Sequence, residues 1–142
     1  MNRITDTVLV LDDEPLFLDW LEDFIESRGF KTKFVTNLPD AHIEISNNNY
    51  VALLVDLNVP SSADIDKKIE AKDPLYKEFR GLFLASEARN KGYPGSNLII
   101  YSVHADERLA PICQRLGIDH IAKGRPHLLK AKLETIFKRA RQ

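Results

Sequence analysis

Asp12, Asp13 and Glu14 stand in a row directly after the apolar run "VLVL" of residues 8–11. Adjacent carboxylates repel one another, so a fold that gathers them needs a cation or another positive partner at that point. Other polar residues close further apolar runs: Asp56 ends "VALLV", Ser102 ends "LIIY" and Lys123 ends "IDHIA". A hard divalent cation such as Mg²⁺ suits one to three carboxylates plus waters. A lysine supplies a point charge for an anionic oxygen, and a serine supplies a hydroxyl hydrogen bond. Grouped around one aspartate, these residues would handle a phosphoryl group. The cation and the lysine neutralise its oxygens while the carboxylate attacks phosphorus.

That chemistry requires the four segment ends to meet. "VLVL" (8–11), "VALLV" (51–55) and "LIIY" (98–101) read as buried strands, "KTKFVT" (31–36) as a half-exposed edge strand and "IDHIA" (118–122) as a last strand. Helical patterns lie between them. Pro15 suits the first turn of a helix carrying Phe17, Leu21, Phe24 and Ile25 on one face, with Gly29 at its end. Segments 38–46, 81–92 and 105–117 read as helices, the last shortened or kinked by Pro111. Pro126 precedes a final helix marked by Leu129, Leu133 and Ile136. Five strands alternating with five helices imply a parallel sheet covered on both faces. Such a sheet puts all its C-terminal strand ends on one edge, where open α/β folds bind ligands.

One segment breaks the alternation. The stretch from Asp56 to Leu98 is far longer than one crossover helix with loops of about 2 to 6 residues on each side. The surplus lies at residues 61–80, "SSADIDKKIEAKDPLYKEFR", an insertion between the third strand and the third helix. It holds five acids and five bases, so it is charged but balanced. Ser62 is placed to cap a short helix bearing Ile65 and Ile69; Asp73 and Pro74 are placed to start another bearing Leu75 and Phe79. Two uses remain open: a solvated surface elaboration, or a lid or docking element beside Asp56.

Composition narrows the class. With 142 residues and 44% hydrophobic content, the chain has enough apolar surface for the core of one domain, residues 1–142. No apolar run approaches a membrane span, and no secretory leader pattern opens the sequence. The single Cys113 forms no internal disulfide, which fits a cytoplasmic setting. A net charge of −1 argues against a nucleic-acid surface. No G-x-G-x-x-G or P-loop is present, which argues against a nucleotide site. Trp20, Tyr101 and Cys113 read as packing residues.

"LVLDDEP", "LLVDLNVP", "IIYSVHAD" and "HIAKG", in this order and each at a strand end, make the chain resemble the receiver domains of two-component response regulators, of the stand-alone kind. The resemblance covers nearly the whole chain. It implies a flavodoxin-like, doubly wound (βα)5 fold, with five parallel strands in the order 2-1-3-4-5. It implies that Asp56 is the phosphoacceptor and that Asp12, Asp13, Asp56 and the backbone carbonyl of Asn58 hold Mg²⁺. Ser102 and Lys123 would bind the phosphoryl group, and Pro60 matches the proline four positions after the acceptor. Ser102 and His120 would act as the switch, while Asn58 and His104 would tune dephosphorylation.

Three positions depart from the family pattern. Gly124 follows Lys123 where a proline is usual, and this loosens the expected hold on the lysine. Val103 stands where a small residue is usual and is placed to narrow access to the acceptor. His120 takes the place of the switch aromatic, where an imidazole can still rotate between buried and exposed states.

The resemblance implies a phosphorylation switch rather than an enzyme. Its donor would be a histidine kinase or a histidine phosphotransfer protein. Since the sequence ends within its last helix, output is expected through contacts of the face built from the fourth helix, fifth strand and fifth helix, with a downstream protein or a second copy. Two alternatives stand beside this. One is a pseudo-receiver that binds a partner without being phosphorylated; the other is a small phosphatase or phosphotransferase using the acids catalytically.

Overall fold

The computed structural model describes residues 2–103 and 106–141, and the side chains of all of these except 2–5, 16 and 17. Its strands are β1 (Asn2–Leu11), β2 (Lys31–Val35), β3 (Asn48–Val55), β4 (Leu98–Ser102) and β5 (Asp119–Ala122). Its α-helices are α1 (Asp19–Ser27), α2 (Leu38–Asn47), α3 (Ala63–Glu70), α4 (Leu75–Glu78), α5 (Arg80–Asn90), α6 (Leu109–Leu116) and α7 (Pro126–Ala140). The strands pair in parallel, in the order β2-β1-β3-β4-β5. The expected doubly wound, flavodoxin-like arrangement is therefore observed.

Alternation along the strands divides the core. Leu9, Leu11, Leu53, Val55, Leu98 and Ile100 pack beneath α2 through α6. Val8, Val10, Ala52, Leu54, Ile99 and Tyr101 pack on the other face with residues of α1 and α7. Strands covered on both sides need apolar residues at every position, which is why β1, β3 and β4 read as unbroken apolar runs. β2, on an edge, keeps the half-exposed alternation.

Several boundaries differ from the sequence reading. β1 begins at Asn2 and β3 at Asn48, each earlier than its apolar run. Backbone pairing of Asn2–Ile4 with Asn48–Tyr50 carries both strands beyond their buried parts. Pro15 opens a 3-10 turn, Pro15–Leu18, before α1. Pro111 neither ends nor interrupts α6, which begins at Leu109. In the first turn the amide that proline lacks has no helical partner to lose.

Residues 61–80 are not solvated throughout. The Ser62 hydroxyl accepts from the Ile65 amide at 3.3 Å and caps α3. Ile65, Ile69, Tyr76 and Phe79 are buried in the same cluster as the sheet residues. The segment thus extends one layer of the core, and its charged side chains stay outside. Arg108, ahead of α6, pairs with Glu78 at 2.6 Å and with Asp106 at 2.8 Å. Exposed pairs of this kind contribute little to stability.

One glycine brings α5 against the end of β3. A Cβ at Gly81 would lie 2.1 Å from the carbonyl oxygen of Asp56 and 2.9 Å from Val55 Cγ1. The Gly81 amide also donates to the Leu57 carbonyl at 3.0 Å. We expect Gly81→Ala to force the Asp56 backbone away from α5 and to lower stability by roughly 1–3 kcal/mol, the usual cost of overpacking. Chemical denaturation measures this; an unchanged midpoint would show that the close approach is dispensable.

Candidate functional site

The ladder between strands runs one residue beyond each strand end, and this pins the site residues. The Asp12 amide donates to the Val35 carbonyl at 3.0 Å, that of Asp56 to Leu11 at 2.9 Å and that of Lys123 to Ser102 at 2.9 Å. Strands β1, β3 and β5 therefore deliver Asp12, Asp56 and Lys123 to the same edge through backbone bonds that are indifferent to side chain.

There the side chains meet. Lys123 Nζ donates to Asp12 Oδ2 at 2.7 Å and to Asp56 Oδ2 at 3.2 Å. The other carboxylate oxygens are also occupied: Asp12 Oδ1 accepts from the Glu14 amide at 2.8 Å, and Asp56 Oδ1 from the Leu57 amide at 2.7 Å. Asp12 is only 2% exposed, so it depends on these partners. Carboxylate oxygens of Asp12, Asp13 and Asp56 lie within 4.8 Å of one another. Each oxygen keeps lone-pair capacity beyond its present bond. This all-oxygen donor set fits a hard cation such as Mg²⁺ and does not fit a soft one.

The cleft above this edge has a volume of about 490 Å³. Asp12, Asp13, Glu14, Asp56, Asn58, Lys123 and Gly124 line its polar side. Leu18, Trp20, Tyr101 and Val103 line the rest. The single positive group among several acids leaves the cleft negative, a field suited to attracting a cation. Gly124 has φ +95°, in the left-handed region, so the turn after Lys123 depends on glycine. Despite the missing proline, Lys123 sits between its two carboxylates.

Burial pushes the Asp56 carboxyl above its ordinary range; the Lys123 charge pulls it back and the Asp12 charge pushes it further up. For Lys123, burial acts downward, but its bonds to Asp12 and the charges of Asp56 and Asp12 prevail and raise its pKa. It therefore remains an ammonium at neutral pH.

Other expected site residues lie differently. Ser102 is fully buried and is not among the residues lining the cleft. Val103 lines the cleft and is 74% exposed. His120 is half-buried and pairs with Ile100 across the β4–β5 ladder, on the sheet face that Ile100 and Ser102 share. His104 lies outside the described residues. Trp20 and Tyr101, read from sequence as packing residues, also form the cleft wall. The available signal for Tyr101 was its place beside Ser102, one position before a strand end.

No family model matches the chain. A curated phosphoglucosamine mutase from Desulforapulum autotrophicum is 28% identical over 109 residues, covering 68% of this chain. The chain spans only 24% of that relative's length. Solved structures are similar over nearly the whole chain. A CheY-like response regulator receiver domain protein from Methanospirillum hungatei gives a TM-score of 0.73 at 18% identity, covering 96% of this chain and 97% of that one. A two-component response regulator from Clostridium difficile gives 0.70 at 17% identity, covering 97% and 100%. A response regulator from Thermotoga maritima, solved in complex with Mg(2+)-BeF, gives 0.66 at 21% identity, covering 96% and 99%. The fold is that of the CheY-like receiver domains.

Two measurements test the site. Trp20, the sole tryptophan, lines the cleft, so its fluorescence reports on the carboxylates. Mg²⁺ should change it saturably, and Asp13→Asn should weaken the midpoint at least about tenfold, since even outer-shell partners are worth that much. A response that survives in Asp13→Asn would place the cation elsewhere. The second concerns pH. Because the Asp56 pKa is raised on folding, its contribution favours the folded state at low pH and is lost as pH rises through the raised value. Metal-free Asp56→Asn should melt above wild type at pH 7, and the gap should close below the carboxylate range. A gap independent of pH would refute this account.

Proposed function

We propose that the chain is a phosphoacceptor response regulator in two-component signal transduction, with Asp56 as acceptor. The observation that carries this reading is Lys123 Nζ held between Asp12 and Asp56, at 2.7 and 3.2 Å, in a cleft that also gathers Asp13. A carboxylate oxygen of Asp56 attacks the phosphorus of a phosphohistidine on a histidine kinase or phosphotransfer protein. The P–O bond forms as the P–N bond breaks, and the imidazole keeps the electron pair and takes a proton. Lys123 then pairs with a phosphoryl oxygen. Asp12, Asp13, Asp56 and the Asn58 carbonyl would hold Mg²⁺, which when bound neutralises charge on the phosphoryl oxygens.

The remaining roles belong to the same reading. Ser102 leaves its buried position to bond the phosphoryl group, and His120 on the same sheet face follows it. Asn58 and His104 set the rate of dephosphorylation. The altered face, made of α6, β5 and α7, binds a downstream protein or a second copy. Residues 1–142 act as one cytoplasmic receiver domain, with residues 61–80 as its insertion. It is a switch rather than an enzyme with a substrate of its own.

Val103 favours a second reading. Its branched side chain lies on the cleft wall, 74% exposed, where it can restrict a donor. On that reading the chain is a pseudo-receiver that binds partners without phosphorylation. Intact mass after incubation with Mg²⁺ and acetyl phosphate separates the two. The switch reading expects one added phosphoryl group in wild type and none in Asp56→Asn. If wild type gains nothing with acetyl phosphate or with a histidine-phosphorylated donor, the pseudo-receiver reading takes its place.

A further inference from the structure

Asn58 sits between two hollows. It lines the acidic cleft and also a second hollow of about 430 Å³, and Asp13 is the other residue common to both. Lys77, Glu78 and Arg80, from the end of the 61–80 segment, line the second hollow. Asn58 is exposed, so core packing does not fix it, whereas Leu57 and Val59 on either side are buried.

Both neighbours are also tied through their carbonyls. The Leu57 carbonyl accepts from the Gly81 amide at 3.0 Å. The Val59 carbonyl accepts from Arg80 Nη1 at 3.3 Å. Peptide groups are planar and rigid, so the plane that carries the Asn58 carbonyl lies between two planes that are held. The first hold is backbone to backbone. The second depends on one side chain, at the last position of the segment that interrupts the alternation of strands and helices. Arg80 Nη2 also lies 3.7 Å from Asp66 Oδ2 on α3. That pair is partly exposed and contributes little alone, but it gives the guanidinium a second anchor. A planar fork serves two such partners at once, where an ammonium is a single point charge.

We propose that Arg80 is a positioning residue for the Asn58 carbonyl: by holding the Val59 carbonyl, its guanidinium fixes the backbone on which selection of Mg²⁺ over Ca²⁺ depends. Mg²⁺ demands near-ideal octahedral geometry, whereas Ca²⁺ accepts varied arrangements of oxygens. A loosened carbonyl therefore penalises Mg²⁺ more. This deepens the proposed Mg²⁺ site and rests on it for its consequence, but the hold on the backbone exists without metal.

Mg²⁺ and Ca²⁺ titrations followed by Trp20 fluorescence test it, in wild type, Arg80→Met and Arg80→Lys. Loss of a positive charge beside the acids alters both affinities alike, so the ratio of the two midpoints isolates geometry. In Arg80→Met the preference for Mg²⁺ should fall about tenfold, the low end of what outer-shell partners are worth. Arg80→Lys keeps the charge without the fork and should show a smaller fall. A second readout needs no metal: the backbone ¹H–¹⁵N signals of Asn58 and Val59, expected to shift and broaden in Arg80→Met. An unaltered midpoint ratio would overturn the proposal, as would equal weakening of both cations or unchanged Asn58 and Val59 signals. If wild type shows no saturable Mg²⁺ response but these signals still depend on Arg80, the positioning stands and the Mg²⁺ assignment fails.

Discussion

Lys123 resolves an electrostatic conflict on which the edge of the sheet depends. Asp12 and Asp56 belong to adjacent strands, and the ladder forces their side chains together. Two carboxylates at that separation, one of them almost fully buried, would repel strongly in the low dielectric of the edge. The ammonium bonds both. A cation is thus part of the fold itself. Removing the ammonium would leave both carboxylates uncompensated, which costs far more than the set contributes as a whole.

The same arrangement suits exchange. Asp56 Oδ1 accepts from the Leu57 amide and Oδ2 from Lys123, and a carboxylate has lone-pair capacity for further partners. Lys123 is half-buried, and its long stem lets the ammonium follow a new negative charge. The backbone below has less freedom. Asp56 is fixed by Leu11, Leu57 by Gly81, and Val59 accepts from the Arg80 guanidinium at 3.3 Å. Rigid backbone under adaptable side chains is what a site needs when charge must be redistributed without unfolding the edge.

Residues 61–80 show how an elaboration is tolerated beside such a site. Ile65, Ile69, Tyr76 and Phe79 join the existing core, so the segment buries apolar surface to offset its ordering entropy. It enters the sheet layer through Phe79, and Gly81 brings the next helix within touching distance of Asp56. The helix that follows the segment therefore sits against the backbone that carries the Asp56 carboxylate.

The strands, their parallel pairing and the convergence of Asp12, Asp13, Asp56 and Lys123 were legible in the sequence. Unbroken apolar runs ending in polar residues have few alternatives once a sheet is covered on both faces. The caps were equally local: Ser62 lies three residues before the amide it receives. Tertiary structure alone decided the rest. Whether Ser102 or Val103 faces the cleft depends on where β4 ends and which way the next side chain turns, and the apolar run is silent on both. Trp20 and Tyr101 could be seen as large and apolar, but not as a cleft wall, because that requires α1, β4 and the Gly124 turn to meet in space. In the sequence, the hold on Lys123 is legible only through the residue that follows it, where glycine signals freedom. The Ser102 carbonyl that fixes the Lys123 amide comes from β4, distant in the chain, and no local pattern records it.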